Sequence, residues 1–441
     1  MATNTILTDA KITKEALSVL HNTLGFTKSV NREYSGEFAN TGAKIGQSVN
    51  VRKPNRYAVQ QGPKINPQGT TESSTPLTLN RQWVVPMTFS SAELTLSIDE
   101  FSNRYIKPAI AKMASVIDLD CYTAAIKGMY ADGVTCPGAG PVNFVVGTPG
   151  YTPGTADSVS SGSGLTSTAA PAVYLNAGRI LDINAAPRDR QRTTCIDPAA
   201  NAMSVGALSG LFNPQGIISE QYKNGLLGNA LGFDFVMDQN VYTFNAGTRV
   251  ASGVDTVATN SGWATPGTVF SSITYTAGSG NNTKTVVAGD TFTIAGVYHV
   301  NPETQQSTGV LYQFVIDEDA TLSTGANTLS IRPAKQAGTG IVDGDFAVVS
   351  TSASAAVVYT SGAASTATPQ NLAFHKEAFT LATADLELPR GIDFGARESF
   401  DGISMRIIRD YDVMNDFMVC RIDVLGGFSV LRPELACRIA G

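Results

Sequence analysis

Charge is what this sequence has least of. Asp, Glu, Lys and Arg make up 15% of its 441 residues, against about 25% in an ordinary soluble domain. Extensive weakly charged surface follows, of the kind that neighbouring molecules cover. No Lys/Arg run is long enough to grip phosphates and the formal net charge is −6, which argues against high-affinity nucleic-acid binding. The three histidines, His21, His299 and His375, lie far apart without a motif around them. Each reads as an ordinary core or surface histidine, so no convergent acid–base centre is on offer. Five cysteines, Cys121, Cys136, Cys195, Cys420 and Cys437, form no CxxC and leave one over if paired. Cys121, Cys420 and Cys437 fall on apolar faces, where a thiol acts as a small hydrophobe, and reduced cytosolic folding is the favoured reading. Nowhere do about eighteen apolar residues run together, and Met1 to Ala10 lacks a basic stretch followed by an apolar core, so neither a membrane span nor a secretion signal is read.

Local clusters that invite chemistry fail on spacing. Asp317-Glu318-Asp319 lacks the spaced oxygen ligands and downstream glutamate of a calcium loop and reads as a solvated acidic turn. Gly162-Ser163-Gly164 has no following Gly-Lys-Ser/Thr and does not make a phosphate loop. Asp410 and Asp412 share a strand face by periodicity alone. No catalytic residue, metal ligand or cofactor site is assigned.

What the chain does have is glycine, 42 of them, with many Thr and Ser and 43% apolar residues. That composition suits a strand-rich protein with many turns, and the length calls for two or three compact units. Near the start, Thr13 reads as the cap of a short helix with Ala16, Leu17, Leu20 and Leu24 on one face and Gly25 at its end. A lone helix of about three turns is marginal in water and must dock on something. Ile45 to Val59 and Leu77 to Leu96 read as long strands joined by a polar tip at Gln60 to Pro76, a hairpin arm too thin to stand alone. Ser97-Ile98-Asp99-Glu100 has the form of a capping box, and Pro108 sits at a first-turn position. Ile110, Met113, Ile117, Cys121 and Ala124 then recur at helical spacing, so Pro108 to Tyr130 reads as one helix of roughly 35 Å.

Gly138 to Thr168 is Gly/Ser/Thr/Pro-rich and reads as a loop. Helices are expected at Pro171 to Asn184 and from Asp197-Pro198, with a helical turn in Ile217 to Leu227 and a strand near Phe233 to Met237. The texture then changes. Thr268 to Ala277, Thr285 to Val287, Thr291 to Val300, Val310 to Ile316, Asn327 to Ile331 and Phe346 to Val349 give strand signals at a spacing that suits a small barrel or sandwich. Gly253 to Gly262 and Ser350 to Thr368 read as its low-complexity ends. At the C-terminus, Ile403 to Ile408 and then Met418, Cys420, Ile422 and Val424 alternate as half-buried strands, with Arg421 and Asp423 on the opposite face. Gly426-Gly427 reads as a turn into Phe428 to Leu431. Pro433 ends that strand, and Leu435, Cys437 and Ile439 alternate up to the end.

Several stretches together resemble a known family. Gln370 to Pro389, Tyr411-Asp412, Arg421 to Gly427 and Arg432 to Ala436 resemble the major coat proteins of tailed double-stranded DNA bacteriophages. So do Val30 to Tyr34, Lys44 to Val49 and Leu96 to Phe101 with Pro108. The likeness is to the short-tailed-phage group that carries an inserted β-barrel, here around Gly289 to Val297, within the Hong Kong 97 fold. The resemblance implies an α+β capsid subunit with an N-terminal arm reaching a neighbour (1–45), an extended hairpin loop (46–96) and a peripheral domain with a long spine helix (97–186). It further implies an axial domain (187–245, returning at 370–399), an inserted barrel (246–369) and C-terminal peripheral strands (400–441). It implies self-assembly into pentamers and hexamers of an icosahedral shell in the virion, built in the host cytoplasm around double-stranded DNA bound without sequence specificity. A separate scaffolding protein and a portal are implied partners, a decoration protein is left open, and no membrane is involved. Candidate intersubunit contacts are Arg52, Arg56, Lys64 and Arg81 on the extended loop, together with Arg188, Arg190 and Arg192. That trio reads as a solvated or intersubunit salt-bridge cluster rather than a DNA site. Each exposed pair contributes only about 0–1 kcal/mol, so apolar contact must dominate. The alternative reading is another β-rich virion component such as a tail or adhesin subunit.

Overall fold

In the computed structural model of the chain, the apolar stripe of Ala16, Leu17 and Leu20 lies on helix α1, Asp9–Thr23. The structure describes residues 9–34, 48–54, 57, 59, 61–63, 67, 74–90, 106–131, 145–146, 170–208, 228–249, 252–259, 263, 265–337, 344–349, 352–359, 365, 367–400 and 402–440. The expected capping box at Ser97 to Glu100, the helical turn within Ile217 to Leu227, and Cys136 lie outside these residues. The chain divides into two compact units, one of Met1–Val51, Pro76–Ala124 and Phe379–Ser429, the other of Arg52–Thr75, Ala125–Ala378 and Val430–Gly441.

The first unit is built on a five-stranded sheet in the order Phe379–Ala384, Phe417–Val430, Ile403–Asp412, Phe394–Phe400, with Arg81–Ser90 also paired to Phe417–Val430. Helix α1 packs on the strands Phe394–Phe400 and Ile403–Asp412. The helix expected to reach a neighbouring subunit therefore spends its apolar face on its own sheet, which is the docking that so short a helix needs. Thr13, expected as a cap, lies buried inside α1. Helix α2, Lys107–Ala131, follows the expected period, with Ile110, Met113, Ile117 and Cys121 buried. Its Asp118 is 2% exposed and accepts the Gly25 N–H at 2.7 Å, the Thr27 N–H at 3.0 Å and the Thr27 hydroxyl at 2.5 Å. That carboxylate takes over the backbone donors just past α1. Phe26 fills the space beside it, edge-on to Tyr122 at 4.9 Å.

Two expectations change here. The extended segments before and after the polar tip do not form one long hairpin. Ser48–Arg52 pairs with Ser74–Thr78, while Arg81–Ser90 runs antiparallel to Phe417–Val430, from Arg81 opposite Gly426 to Ser90 opposite Phe417. Gly426-Gly427 is not a turn either, because Phe417–Val430 is continuous through it. A Cβ on Gly427 would sit 2.0 Å from the Thr78 carbonyl oxygen, and one on Gly426 would sit 2.8 Å from the Trp83 ring. The glycines are there for close approach of backbone to neighbour.

The second unit holds two seven-stranded sheets. The first runs in the order Val145–Val146, Ala436–Ala440, Ala367–His375, Arg192–Ile196, Phe233–Met237, Asn229–Ala230, with Thr243–Asn245 also paired to Ala367–His375. Val145–Val146, inside the stretch expected as a loop, pairs parallel with Arg438 and Ile439. The C-terminal strand is thus enclosed on both edges, and Leu435 to Ile439 are all buried, including Arg438 at 0% exposure. The expected half-buried alternation fails because both faces are covered. Helices α3, Ala170–Ile183, and α4, Pro198–Leu208, stand where the sequence placed them, with Asp197 accepting the Ala199 and Ala200 N–H groups at the start of α4. They are joined by Tyr174 Oη and Ser204 Oγ at 2.8 Å, and burial pushes the Tyr174 phenol up to about 12.

The other sheet is antiparallel, in the order Ser307–Val315, Thr291–Val300, Ser352–Tyr359, Ser252–Thr259, Val269–Ala277, Gly325–Lys335, with Phe346–Val348 added to Thr291–Val300. Its two ends meet. Ile316 bridges Ile331, and the Asp317 N–H donates to the Ser330 carbonyl at 3.0 Å. Trp263, Phe292, Tyr312, Phe314 and Phe346 fill the interior. Both stretches expected as low-complexity ends are central strands. Asp255, Val257 and Thr259 point inward on one, and Ala355, Val357 and Tyr359 on the other. Entry and exit run side by side, since Thr243–Asn245 pairs antiparallel with Ala367–Pro369.

Candidate functional site: an arginine-lined groove

The residues that the sequence offered as contacts scatter. Arg52 is exposed at the end of Ser48–Arg52, and Arg56 and Lys64 lie outside the described residues. Arg81 is half-buried and engaged within its own unit, 2.7 Å from Asp120, which also accepts the Trp83 indole N–H at 3.1 Å.

Arg188, Arg190 and Arg192 come together in the second unit, on the wall of a groove of about 750 Å³. Helix α3 ends at Ile183, and the chain reverses through Ala185 in the left-handed region (φ 58°) before it enters Arg192–Ile196. The lining also takes in the turn at Leu231-Gly232 (φ 53° and 85°), which returns Asn229–Ala230 onto Phe233–Met237. Leu175, Arg179 and Asp182 from α3, Phe233 and Asn301 complete the lining. Asn301 is tied to this wall, its amide donating to the Ile183 carbonyl at 2.8 Å.

The three arginines differ in what they can do. Arg192 is buried and spent on structure, its guanidinium donating to the carbonyls of Pro187 at 2.9 Å and Ala186 at 2.6 Å, with Asp182 at 2.9 Å. This takes it out of the expected contact trio, because strand residues on either side pull it into the sheet. Arg188 is exposed and forks onto Asp182, with Nε at 2.8 Å and Nη2 also in contact. The Arg188 hydrogen bond holds the Asp182 carboxyl below its ordinary value, partial burial opposing. Arg190 is exposed and left-handed (φ 66°). Asp189 stands between Arg188 and Arg190 in sequence. That carboxylate faces the buried His375, whose Nε2 lies 3.0 Å from Oδ1, and accepts the Gln191 N–H at 3.1 Å. The groove is thus lined by four arginines and one carboxylate, with an exposed leucine, Leu175, beside them. The arginine trio was visible in the sequence. Arg179, Asp182, Leu231 and Asn301 were not, because they come from three other segments with no shared motif.

Elsewhere, Cys121, Cys195, Cys420 and Cys437 are buried and joined in no disulfide. Asp319 accepts the Ala288 N–H at 2.7 Å, and burial, reinforced by Glu318, raises the Asp317 carboxyl. Among the described residues no cluster of three His, Cys, Asp or Glu is placed to hold a metal ion. No described helix is long and apolar enough to cross a membrane.

The described residues present strand-rich units and an arginine-lined groove, features of a surface that contacts other molecules. Comparison with known families makes this specific. The model of the family described as P22 coat protein, gene protein 5, matches residues 163–441, more than half of the chain. The chain belongs to that family, and it is a tailed-bacteriophage major capsid protein that forms the shell. No curated protein matches its sequence. Solved structures of similar outline include the capsid of Ralstonia phage GP4 (7% identity, 95% of this chain and 91% of that chain, TM-score 0.45). Others are the capsid of Cyanophage P-SCSP1u (12%, 90% and 83%, 0.43) and Mycobacterium phage Che8 (11%, 94% and 90%, 0.43). These scores are too low to carry the assignment, which rests on the family match.

Proposed function

We propose that this coat protein closes an icosahedral shell in which pentamers and hexamers form from one subunit by small hinge changes, with the Hong Kong 97 arrangement and residues 246–369 as an inserted β-barrel domain. The observation that carries the insertion is the pairing of Thr243–Asn245 with Ala367–Pro369. A chain that leaves and re-enters its sheet through adjacent, hydrogen-bonded strands can accept a whole domain between them without disturbing the host. The Ile316–Ile331 bridge between the two ends of the inserted sheet supports a closed barrel. In this arrangement the barrel stabilises the subunit and steers contacts between capsomers.

The first unit supplies the peripheral domain, including 379–399 from the expected axial return 370–399. The second unit supplies the axial domain, in which Ala170–Ile183 and Ala436–Ala440, expected in the peripheral parts 97–186 and 400–441, pack with Ala367–His375, the partner of Arg192–Ile196. Within the segment 46–96, the part ahead of Arg81 supplies an extended loop across the neighbouring subunit, with Arg52, Arg56 and Lys64 on it, while Arg81–Ser90 anchors it in its own sheet. The arm role of 1–45 falls to the residues flanking α1. A scaffolding protein, a portal and packaged double-stranded DNA complete the particle, assembled in the host cytoplasm. Many modest contacts per subunit then sum to a robust shell that stays reversible during growth.

Electron microscopy of the recombinant chain, alone and with lysate from its source, tests the assembly. Closed shells or capsomer rings of uniform size are expected. A monodisperse monomer under both conditions would overturn it. Joining Asn245 directly to Ala367 tests the insertion: insoluble or misassembled chain is expected, and normal shells would remove the proposed role of the barrel.

A further inference from the structure

The arginine groove has a complement elsewhere on the chain. The strands Ile403–Asp412 and Phe417–Val430 are joined by an exposed turn whose Val413 and Met414 are 79% and 90% exposed. Two carboxylates lead into it, Asp410 and Asp412. They are two residues apart on one strand and so about 7 Å apart on one face. Asp412 accepts the Met414 N–H and the Asn415 amide, both at 2.9 Å, which shapes the turn and holds its carboxyl below the ordinary value. Asp416 closes the turn in the left-handed region (φ 52°) and accepts the Tyr411 hydroxyl at 2.8 Å. The result is a pre-shaped acidic projection with a bare apolar tip. The groove offers a match for both, with Arg190 and Arg188 for the carboxylates, Arg188 sharing its guanidinium with Asp182, and exposed Leu175 for the tip.

We infer that the groove of one copy receives the Asp410–Asp416 turn of another copy, with the carboxylates on Arg188 and Arg190 and the Val413–Met414 tip on Leu175. The inference rests on the reading of the chain as a self-assembling subunit and adds the pair of surfaces that meet. A mixed lining favours such a polypeptide segment over a duplex backbone. Phosphates would use the arginines but leave the leucine uncovered, and a groove of about 750 Å³ is too small to take in a duplex. Complementary charges steer encounter and fix register, while the apolar tip supplies the burial that exposed ion pairs lack.

A charge-exchange experiment decides it. The variants R188E/R190E, D410K/D412K and all four substitutions together are compared with the unaltered chain for the fraction sedimenting as shells. Circular dichroism and thermal midpoints of the unassembled subunit establish that each is folded. Each double variant should lower the shell fraction on the order of tenfold, because like charges then meet at every copy of the contact. The quadruple variant should recover to within about threefold of the unaltered chain. Val413→Ser with Met414→Ser, which leaves the charges alone, should also lower the fraction. If folded double variants assemble normally, or the quadruple fails to recover, the pairing is wrong. Should R188E/R190E form normal shells that no longer retain a double-stranded oligonucleotide, the groove is a phosphate site and the inference falls. The unaltered chain in the same run reports separately on self-assembly.

Discussion

Asp290 and Arg249 are both fully buried, 0% exposed, with Nη2 of the arginine 2.8 Å from Oδ1 of the aspartate. Oδ2 accepts the Val287 N–H at 2.9 Å and the Gly247 N–H at 3.4 Å. The guanidinium lies 4.2 Å from the centre of the Tyr359 ring, whose hydroxyl is 2.7 Å from that of Tyr275. Asp290→Asn keeps the shape and the acceptor oxygen for the backbone donors but removes the charge, so Arg249 is left buried beside a neutral amide. Breaking a buried pair on one side costs about 3–5 kcal/mol. For a domain of this size, at about 4 °C per kcal/mol, that shifts the midpoint down on the order of 12–20 °C. Of the two tryptophans, Trp263 belongs to the core of this sheet. A Trp83→Phe background therefore leaves its fluorescence as the reporter, and thermal unfolding can be read locally. Arg249→Met with Asp290→Leu removes both charges and should lose much less than D290N alone. A midpoint shift under about 3 °C for D290N, or a double variant worse than the single one, would refute the reasoning that an unpaired charge is the dominant cost.

Gly427→Ala should destabilise the first unit by about 1–3 kcal/mol in urea unfolding, since the new methyl meets the Thr78 carbonyl rather than a movable side chain. An unchanged midpoint would mean that the two strands can separate freely. Asp182 has a depressed folded pKa, so its pairing contributes stability above the ordinary carboxylate value of 3.8 and loses it as pH falls through the folded value. The stability gap between the unaltered chain and Asp182→Asn should therefore narrow as pH falls below about 5 and close below the depressed folded value. A gap that stays constant across this range would exclude the ion pair as its source. Burial raises the Cys121 thiol well above its ordinary value and raises Cys420 as well. Of the five cysteines, the four buried ones should not react with a thiol reagent at neutral pH until denaturant is added, as a timed absorbance assay will record.

Local periodicity was sufficient for α2, α3 and α4 and for most strands, because each of those patterns is written within a few consecutive residues and matches one burial direction. The same reading passed over Ser252–Thr259 and Ser352–Tyr359. Their inward positions alternate, but with Asp, Thr and Ala among them, and small or polar residues become core only when strands on both sides close over them. Gly426-Gly427 carried a true signal with the wrong meaning, since glycine marks a turn and a close approach alike and only the Thr78 backbone distinguishes them. The arginines 188, 190 and 192 were legible as a cluster, yet their division into one spent on the fold and two at a groove rim depends on Asp182, Asp189 and His375, the last nearly two hundred residues away in sequence. Family membership was legible because ordered stretches along the chain carry it. Which surfaces face outward was decided by tertiary structure alone, since burial depends on which distant strand arrives to cover a face.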